Sequence, residues 1–508
     1  MQIALLIIGV FVVLAALISL ADNLIQIEAQ KSGIDTTQNN MSIFPRVGDL
    51  VGPKVPSYTS KENFHVLKNG FNIILSGNAE GSPEAVEVTR FALKPKNYRG
   101  IAPIPKLHVA VGDEVKAGDP IFYDKSNPDI NYVSPVSGEI IEVQRGAKRA
   151  IENVIILADK TQQFRQFDIP EIHTKNRDGI MSFLASSGIV NMFVQRPFGV
   201  IADLDVVPRD IFISGFNTAP LAPSYNDLLI GREDELNKAI DVLNVVTSGK
   251  VYLSISEESS NVLKSAHGAE VHYFKGPHPA GNVGVQIHHI KPIKSGETVW
   301  TMDLQDVLTL GRLFLQGIYD PERVVAISGS QIINPKYILT KSGAHIGELI
   351  KENQKQDNNR IIAGDVLTGV HQSEEDFINK DTEQITVIKE GDYYEPFGWL
   401  LPIKPRPSVS KTFPAFLMPN LAYDGDTNTH GEKRAFVVSG QYEKMLPMDV
   451  YPQHLMKAIM TGDIERMEGL GINELLEEDV ALCEFSCTSK QPLQEILRDG
   501  LDMMIEQS

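Results

Sequence analysis

Hydrophobic and polar positions alternate in different ways along the chain, and each pattern predicts a different kind of element. Residues 3–21 contain no charged side chain, and a helix of this length spans about 28 Å, close to the hydrocarbon thickness of a bilayer. The pattern predicts one N-terminal hydrophobic helix, placed at residues 1–22 as a transmembrane anchor. Residues 23–63 are rich in polar and turn-forming side chains and predict a linker.

Two other interpretations of the N-terminal stretch stay open. A secretory signal peptide is one, although the basic region that precedes such a signal is missing. A start at Met41 is the other, and it gives a shorter chain without the apolar run. Lysine and arginine first appear after the run, and this asymmetry favours the C-terminal side as cytoplasmic.

The stretch from 64 to 160 alternates short apolar runs with glycine and proline, which predicts small antiparallel sheets. Its segments 107–122 (LHVAVGDEVKAGDPIF) and 132–146 (YVSPVSGEIIEVQRG) resemble the two halves of the biotinyl/lipoyl carrier fold, a β-sandwich hybrid. Lys125 lies between the halves, where such carriers bear their modified lysine. A stand-alone biotinyl/lipoyl-type carrier is therefore the alternative function, although little room remains for the strand that presents the lysine.

The stretch from 161 to 330 alternates strand and helix patterns. The short β-rich runs are 210–214, 251–256, 270–275 and 324–329. The helical patterns between them are 233–249, 260–268 and 301–320. This alternation predicts a Rossmann-like α/β domain with a parallel sheet and helices on its faces. No GxGxxG sequence follows any of these strands, so a conventional NAD site is disfavoured.

Two further regions complete an α/β multi-domain chain. Residues 331–403 read as strand, helix, strand and strand, compatible with a β-grasp (SLBB-like) domain. Residues 404–508 begin rich in proline and continue with apolar residues three and four positions apart, which predicts a C-terminal helical domain.

Composition excludes several classes of function. The chain has 47 Lys and Arg against 65 Asp and Glu, a formal net charge of −18, so it repels nucleic-acid phosphates. Its two cysteines cannot build a disulfide scaffold or hold an iron–sulfur cluster, which needs about four thiolates. No GxSxG or HExxH sequence occurs, so no nucleophile or general base is assigned from spacing.

Histidines are the first candidates for a functional site. His272, His278, His288 and His289 lie within eighteen residues of sequence, and imidazoles can bind transition metals. On a strand, however, the adjacent His288 and His289 would point to opposite faces. We therefore predict no metal site, and structural, partner-facing or quinone-contacting roles instead.

A second candidate is the segment 424–434, DGDTNTHGEKR. It places His430, Glu432, Lys433 and Arg434 beside two aspartates and two glycines in one polar loop. Loops on a rigid scaffold often carry function. The loop is either a contact for a quinone or another subunit, or a surface turn without a ligand.

A third candidate is Arg196 in the sequence QRPFG, with Arg209 close behind it in PRD. Arginine at such a position can pair with carboxylates of another subunit. The alternative is a salt bridge within the chain.

Together these segments resemble the NqrA family, the A-subunits of the bacterial Na+-translocating NADH:quinone reductase. The resemblance rests on KNGFNIILSGNAEG, VGDEVKAGDPI, SPVSGEIIEVQRGAKRA, QRPFG, GPHPAGNVGVQIHHI, QDVLTLGRLFLQG, GDVLTG and DGDTNTHGEKRAF, in order from about 64 onward. It implies one component of a six-subunit enzyme that passes electrons from NADH to ubiquinone and exports Na+. Family members usually start near the equivalent of Phe64, so the predicted anchor is an extension.

The resemblance also implies what this chain holds and where it lies. It is expected to bind no cofactor and to have no independent catalytic activity, while FAD, FMN, riboflavin and iron–sulfur clusters lie on the five partner subunits. It contributes to the quinone-reduction end, with ubiquinone as a contact. The bulk of the chain is expected on the cytoplasmic side of the inner membrane, anchored by residues 3–21.

Two sequences depart from redox relatives. SGAH (342–345) comes close to the SGAT sequence that carries FMN on a threonine, but His345 replaces the acceptor, so no covalent flavin is expected. The C subunit of the related Rnf complexes has two four-cysteine clusters in its C-terminal region. Here Cys483 and Cys487 match two of those eight thiols and Leu446 stands at a ligand position. The resemblance thus implies a vestigial ferredoxin-like C-terminal domain.

Overall fold

The computed structural model describes residues 58–98, 105–226, 228–355, 358–395, 405–409 and 420–507, with isolated residues before 58 and at 397, 417 and 418. The chain divides into a unit of Met1–Lys61 and a unit of Glu62–Ser508. Apart from isolated positions, the anchor predicted at 3–21 lies outside the described residues. In the part that is described, no helix has both the length and the apolar character needed to cross a bilayer.

The strands of the described residues are numbered in chain order. They are β1 Phe64–Val66, β2 Glu80–Ala85, β3 Arg90–Leu93, β4 Lys106–Leu107, β5 Glu114–Val115, β6 Pro120–Asp124, β7 Asn127–Val133, β8 Gly138–Arg145, β9 Ile151–Ala158, β10 Val194–Arg196, β11 Val200–Ile201, β12 Ile211–Ser214, β13 Val251–Ser256, β14 Glu270–Lys275, β15 Val299–Asp303, β16 Glu322–Ser328, β17 Lys336–Lys341, β18 Asn359–Ala363, β19 Val370–Gln372 and β20 Gln384–Lys389.

The α-helices of the described residues are numbered in the same way. They are α1 Arg177–Ser186, α2 Glu233–Val246, α3 Asn261–Lys264, α4 Val283–Ile290, α5 Leu304–Gln316, α6 Ile346–Leu349, α7 Tyr442–Met445, α8 Pro452–Met460, α9 Ile464–Gly469, α10 Glu477–Ser486 and α11 Leu493–Gln507.

A mainly parallel sheet forms the middle of the chain, as the alternating pattern predicts. Its order is β1-β14-β13-β12-β15-β10-β11, and the first five strands run parallel. Ile211 and Ile213 of β12 join the large core that contains α2 and α5, whereas Phe212 packs with Ile287 of α4. Because side chains alternate along a strand, helices cover both faces of this sheet.

Helices α2 and α5 pack so closely that one position requires glycine. A Cβ atom at Gly311 of α5 would lie 1.8 Å from the carbonyl oxygen of Glu235 in α2. The guanidinium of Arg312 then pairs with the carboxylate of Glu235, Nε to Oε1 at 2.9 Å. The two helices therefore meet backbone to backbone on one face of the sheet.

Three strands pair with strands outside the sequence region in which they lie. The run 324–329, predicted in the parallel α/β sheet, forms β16 and joins the six-stranded sheet β19-β18-β20-β16-β17-β2. The strands β1 and β2 lie within the stretch 64–160, where the sequence analysis assigned no strand to these positions, and they pair with β14 and β17. A local pattern identifies a strand, but its partner depends on contacts far away in sequence.

The sequence analysis considered His288 and His289 on a strand, but the structure places them on a helix. Both belong to helix α4, in which Val283, Ile287 and Ile290 recur at helical spacing. The carrier-like region has the predicted small antiparallel sheets, ordered β3-β9-β8-β5 and β4-β6-β7. Helical patterns in the last region correspond to α8 and α11, as predicted.

A buried ion pair joins the C-terminal helices to the parallel sheet. Arg196 at the end of β10 is 1% exposed; its Nη1 lies 3.2 Å from Oδ2 of Asp479, and its Nη2 lies 2.6 Å from Oε1 of Glu478. Burial raises the pKa of Asp479 to about 6, although Arg196 opposes that shift. Gly284 of α4 leaves space for the pair, because a Cβ there would lie 2.2 Å from Oδ2 of Asp479.

We expect Gly284→Ala to destabilise the fold. The added methyl group would push Asp479 away from Arg196 and leave a buried charge without its partner, at a cost of about 2–4 kcal/mol. Gly469→Ala is the control, since a Cβ at that helical position meets nothing within 4 Å. Calorimetry should show a lower melting temperature than that of the unmodified chain for Gly284→Ala, and an equal or higher one for Gly469→Ala. Equal melting temperatures of the two variants would contradict the role of Gly284 in making room for the ion pair.

Candidate functional site

A large cleft lies between the six-stranded sheet, the 421–430 loop and the C-terminal helices. Its volume is about 1400 Å³. Strands β18 and β20 supply one side, and residues from Ala481 to Gln494 supply the other. A concave site that combines apolar walls with a few polar groups is typical of small-molecule binding.

The walls of the cleft are mainly apolar. They include Ile73, Leu75, Ile362, Leu367, Ile388 and Phe485. Ile73 and Leu75 are themselves buried in the core beneath the C-terminal helices. These two side chains are therefore held by packing, and this part of the apolar wall is preformed.

The polar end of the cleft is built by the loop 424–430. Oδ1 of Asp426 accepts the amide N–H of Asn428 at 3.0 Å, and Oδ1 of Asn428 accepts that of His430 at 2.8 Å. The side-chain amide of Asn428 donates to the carbonyl oxygen of Tyr393 at 2.7 Å. Glu390 at the end of β20 pairs with the hydroxyl of Thr427. The loop is thus fixed by its own turns and by the sheet.

The side chain of His430 is oriented by an arginine. Nη1 of Arg406 lies 2.6 Å from Nδ1 of His430 and 2.7 Å from Oε2 of Glu395. A guanidinium can only donate, so Nδ1 accepts and the neutral ring carries its proton on Nε2. Burial, and then the charge of Arg406, lower the pKa of His430. The ring is therefore neutral at pH 7, with one N–H donor.

Tyr393 adds a phenol beside the imidazole. Its hydroxyl donates to Oδ2 of Asp426 at 2.8 Å, and its ring meets that of His430 edge-on at 6.4 Å between centroids. Burial and the hydrogen bond to Asp426 raise the pKa of Tyr393 to about 12. Both rings stay uncharged at neutral pH, and Nε2–H of His430 is the donor that they leave available near the apolar wall.

The segment 424–434 divides at its second glycine. Residues up to His430 line the cleft, whereas Glu432, Lys433 and Arg434 do not and are exposed. The four residues predicted as one contact therefore face two different surroundings.

The other predicted site residues have contacts within the chain and do not line the cleft. Arg196 forms the buried ion pair with the start of α10. His288 lies 2.7 Å from the carboxylate of Glu474 through Nδ1, and His289 donates from Nε2 to the carbonyl oxygen of Pro447 at 2.7 Å. His278 is buried, and its Nδ1 lies 3.1 Å from the hydroxyl of Thr218. A quinone contact at these four residues has no support in the geometry.

Cys487 lines the cleft, whereas Cys483 does not. Both are buried on or beside α10. Sγ of Cys487 accepts the hydroxyl proton of Tyr442 at 2.8 Å. Burial raises the pKa of the Cys483 thiol. Within the residues that the structure describes, no three His, Cys, Asp or Glu side chains converge as metal ligands.

His345, which stands where a flavin-bearing threonine would be, has a structural role. Its Nδ1 accepts the amide N–H of Glu348 at 3.3 Å and so caps helix α6. Its ring packs edge-on against Phe377.

Sequence reasoning missed Tyr393, Glu395 and Arg406. All three lie in the run from 393 to 409, which follows the last predicted strand and begins with two tyrosines. An aromatic pair directly after a strand end was the available signal, since residues at strand ends often line sites. The contact of Arg406 with His430 depends on the tertiary fold.

Three domain profiles of one family match the chain. The "NqrA N-terminal barrel-sandwich hybrid domain" matches residues 65–159, the "NqrA second alpha/beta domain" matches 175–319, and the "NQRA C-terminal domain" matches 324–374. Barrel-sandwich and SLBB-type domains therefore belong to this mixed α/β chain.

Curated relatives are similar over nearly their whole length. The A-subunit of the Na(+)-translocating NADH-quinone reductase of Vibrio atlanticus (strain LGP32) is 34% identical over 441 residues, 86% of this chain and 98% of the relative. Its counterpart in Neisseria meningitidis serogroup B (strain ATCC BAA-335 / MC58) is 33% identical over 440 residues, with the same two coverages. A solved NAD+-reducing [NiFe]-hydrogenase covers 42% of this chain and 47% of its own at 11% identity, with a TM-score of 0.29.

We expect His278 to make stability depend on pH. Burial, the main cause, lowers its pKa to about 4, whereas Asp365 opposes the shift. In the unfolded chain, His278 therefore takes up a proton near pH 6.5, whereas in the folded chain it stays neutral down to about pH 4. The contribution of this residue to stability is full above pH 6.5 and falls as the pH drops toward 4.

The measurement is the melting temperature between pH 7 and pH 5. His278→Asn cannot titrate and should flatten part of the decline that the unmodified chain shows. His173→Asn is the control, because His173 is exposed. The same decline in both variants would contradict the prediction.

Proposed function

This chain belongs to the NqrA family, the A-subunits of the Na(+)-translocating NADH-quinone reductase, and from that premise we propose that its cleft receives the quinone headgroup. The chain is one component of this enzyme and acts in electron transfer from NADH to quinone coupled to Na+ transport. The quinone contact is the part that the geometry of the cleft supports.

The neutral imidazole of His430 is the observation that carries the proposal. A quinone has two carbonyl acceptors on a flat apolar ring, so it needs hydrogen-bond donors without a net charge beside apolar walls. Nε2–H of His430 is such a donor. The wall that includes Leu75, Ile362 and Leu367 supplies the apolar surface for the ring and its isoprenoid tail.

The roles of the cleft residues then differ. Arg406 holds His430 in the tautomer that presents Nε2–H, and Glu395 offsets the charge of Arg406 inside the cleft. Asp426 fixes Tyr393. Because these groups are locked by one another, little side-chain freedom is lost when the carbonyl oxygen binds.

We also propose the assembly that the resemblance implies. Five partner subunits carry FAD, FMN, riboflavin and iron–sulfur clusters, and ubiquinone is the acceptor. The bulk of the chain lies on the cytoplasmic side of the inner membrane, with residues 3–21 as anchor. The domains are 64–160, a Rossmann-like 161–330, a β-grasp 331–403 and a vestigial ferredoxin-like 404–508.

The carrier alternative is not favoured. Lys125 is exposed in the turn between β6 and β7, which is where a carrier lysine would stand. The relatives that match the chain are, however, subunits of the reductase.

We expect His430→Ala to weaken the use of quinone by the assembled complex. Loss of one donor hydrogen bond costs about 1.4 kcal/mol, so the KM for quinone should rise about tenfold. Oxidation of NADH with an artificial acceptor should stay unchanged, because that step takes place on another subunit. Both rates are measured on the purified complex.

His173→Ala is the matched control, since that histidine is exposed and does not line the cleft. It should leave both rates unchanged. An unchanged KM in His430→Ala, with all subunits present, would contradict quinone binding at the polar end of the cleft.

A further inference from the structure

Residues 432–438, here called the strap, form an exposed segment that has neither helix nor strand. Every residue from 431 to 440 except Phe436 is exposed. Val437 and Val438 keep 54% and 59% of their surface in solvent. These two neighbouring apolar side chains add exposed apolar surface of the kind that a partner can cover.

The backbone of the strap has unused hydrogen-bonding groups. Among the described residues, the backbone groups of Lys433, Ala435, Phe436 and Val438 make no hydrogen bond. Unpaired and exposed backbone groups are a template for the addition of another strand.

Three anchors hold the strap in place. The amide N–H of Arg434 donates to the carbonyl oxygen of Ser489 at 2.9 Å. The ring of Phe436 packs against Tyr442 at 6.1 Å between centroids. The buried side chain of Gln453 binds the carbonyl oxygen of Val437 and the amide of Ser439. The strap is therefore ordered before a partner arrives, which lowers the entropy cost of docking.

The charge of this surface differs from that of the whole chain. Lys433 and Arg434 lie on the strap, and Nζ of Lys457 lies 5.6 Å from the ring centroid of Phe436. Glu432 is the acid within the strap. A local excess of cations on a chain of net charge −18 attracts an acidic partner.

We propose that the strap is the docking site for an acidic, extended segment of another subunit of the reductase. The partner's backbone pairs with the free groups of the strap, its apolar side chains cover Val437 and Val438, and its carboxylates meet Lys433 and Arg434. This docking goes beyond quinone binding and does not depend on it, because these residues lie outside the cleft.

The test uses the complex purified from cells through a tag on this chain. Val438→Asp and the double variant Lys433→Glu/Arg434→Glu should each lower the amount of co-purified partner subunits at least tenfold. Ile230→Asp is the control, because Ile230 is 74% exposed and lies far from the strap in sequence. It should retain the partners, and melting temperatures of the isolated chains should be equal.

A photo-crosslinking residue at position 437 in the otherwise unmodified chain gives a second readout that does not depend on the folding of a variant. We expect a crosslink to one partner subunit, and none from position 230. Retention of all partners by both strap variants, or equal loss in Ile230→Asp, would refute the docking site. Binding of the isolated chain to vesicles of phosphatidylcholine and phosphatidylglycerol that the strap variants abolish would assign the strap to lipid and overturn the proposal.

Discussion

The buried pair of Arg196 and Asp479 is the constraint on which the arrangement of the C-terminal helices depends. A guanidinium and a carboxylate that are both removed from water are stable only while they face each other, since breaking such a pair costs about 3–5 kcal/mol. Asp479 lies in the first turn of α10, and the far end of the same helix supplies Phe485 to the cleft. The ion pair at one end of α10 therefore helps to set the position of the cleft wall at the other end.

The sequence was sufficient for elements whose signal is local. The long amphipathic patterns of α2, α5 and α11 and the apolar runs of β12 and β13 appear where they were predicted, because their periodicity is set by the face each one buries. The sequence was not sufficient to predict which strands pair with each other. Which sheet receives a strand depends on residues far away in the chain, so the run 324–329 was predicted in the parallel sheet although β16 belongs to the six-stranded one.

The candidate site shows the same division. His430 was found from the sequence because polar residues and glycines cluster around it, whereas Arg406 was missed because its role exists only once the fold brings it to Nδ1 of that ring. The segment 424–434 is polar throughout, yet its residues up to His430 line the cleft and those from Glu432 onward are exposed to solvent. The sequence of a polar segment does not show in which direction each side chain points. Backbone turns, such as the one at Asn428, determine that direction.

The contact at Gly311 has a consequence for comparing members of this family. The carbonyl oxygen of Glu235 occupies the space that a Cβ atom at position 311 would need. The short separation of α2 and α5 therefore requires glycine at this position. A relative that carries alanine or serine at the equivalent position must hold these helices farther apart, and β15, which leads directly into α5, must shift with them. One column of an alignment can therefore distinguish two geometries of the same domain before either structure is known.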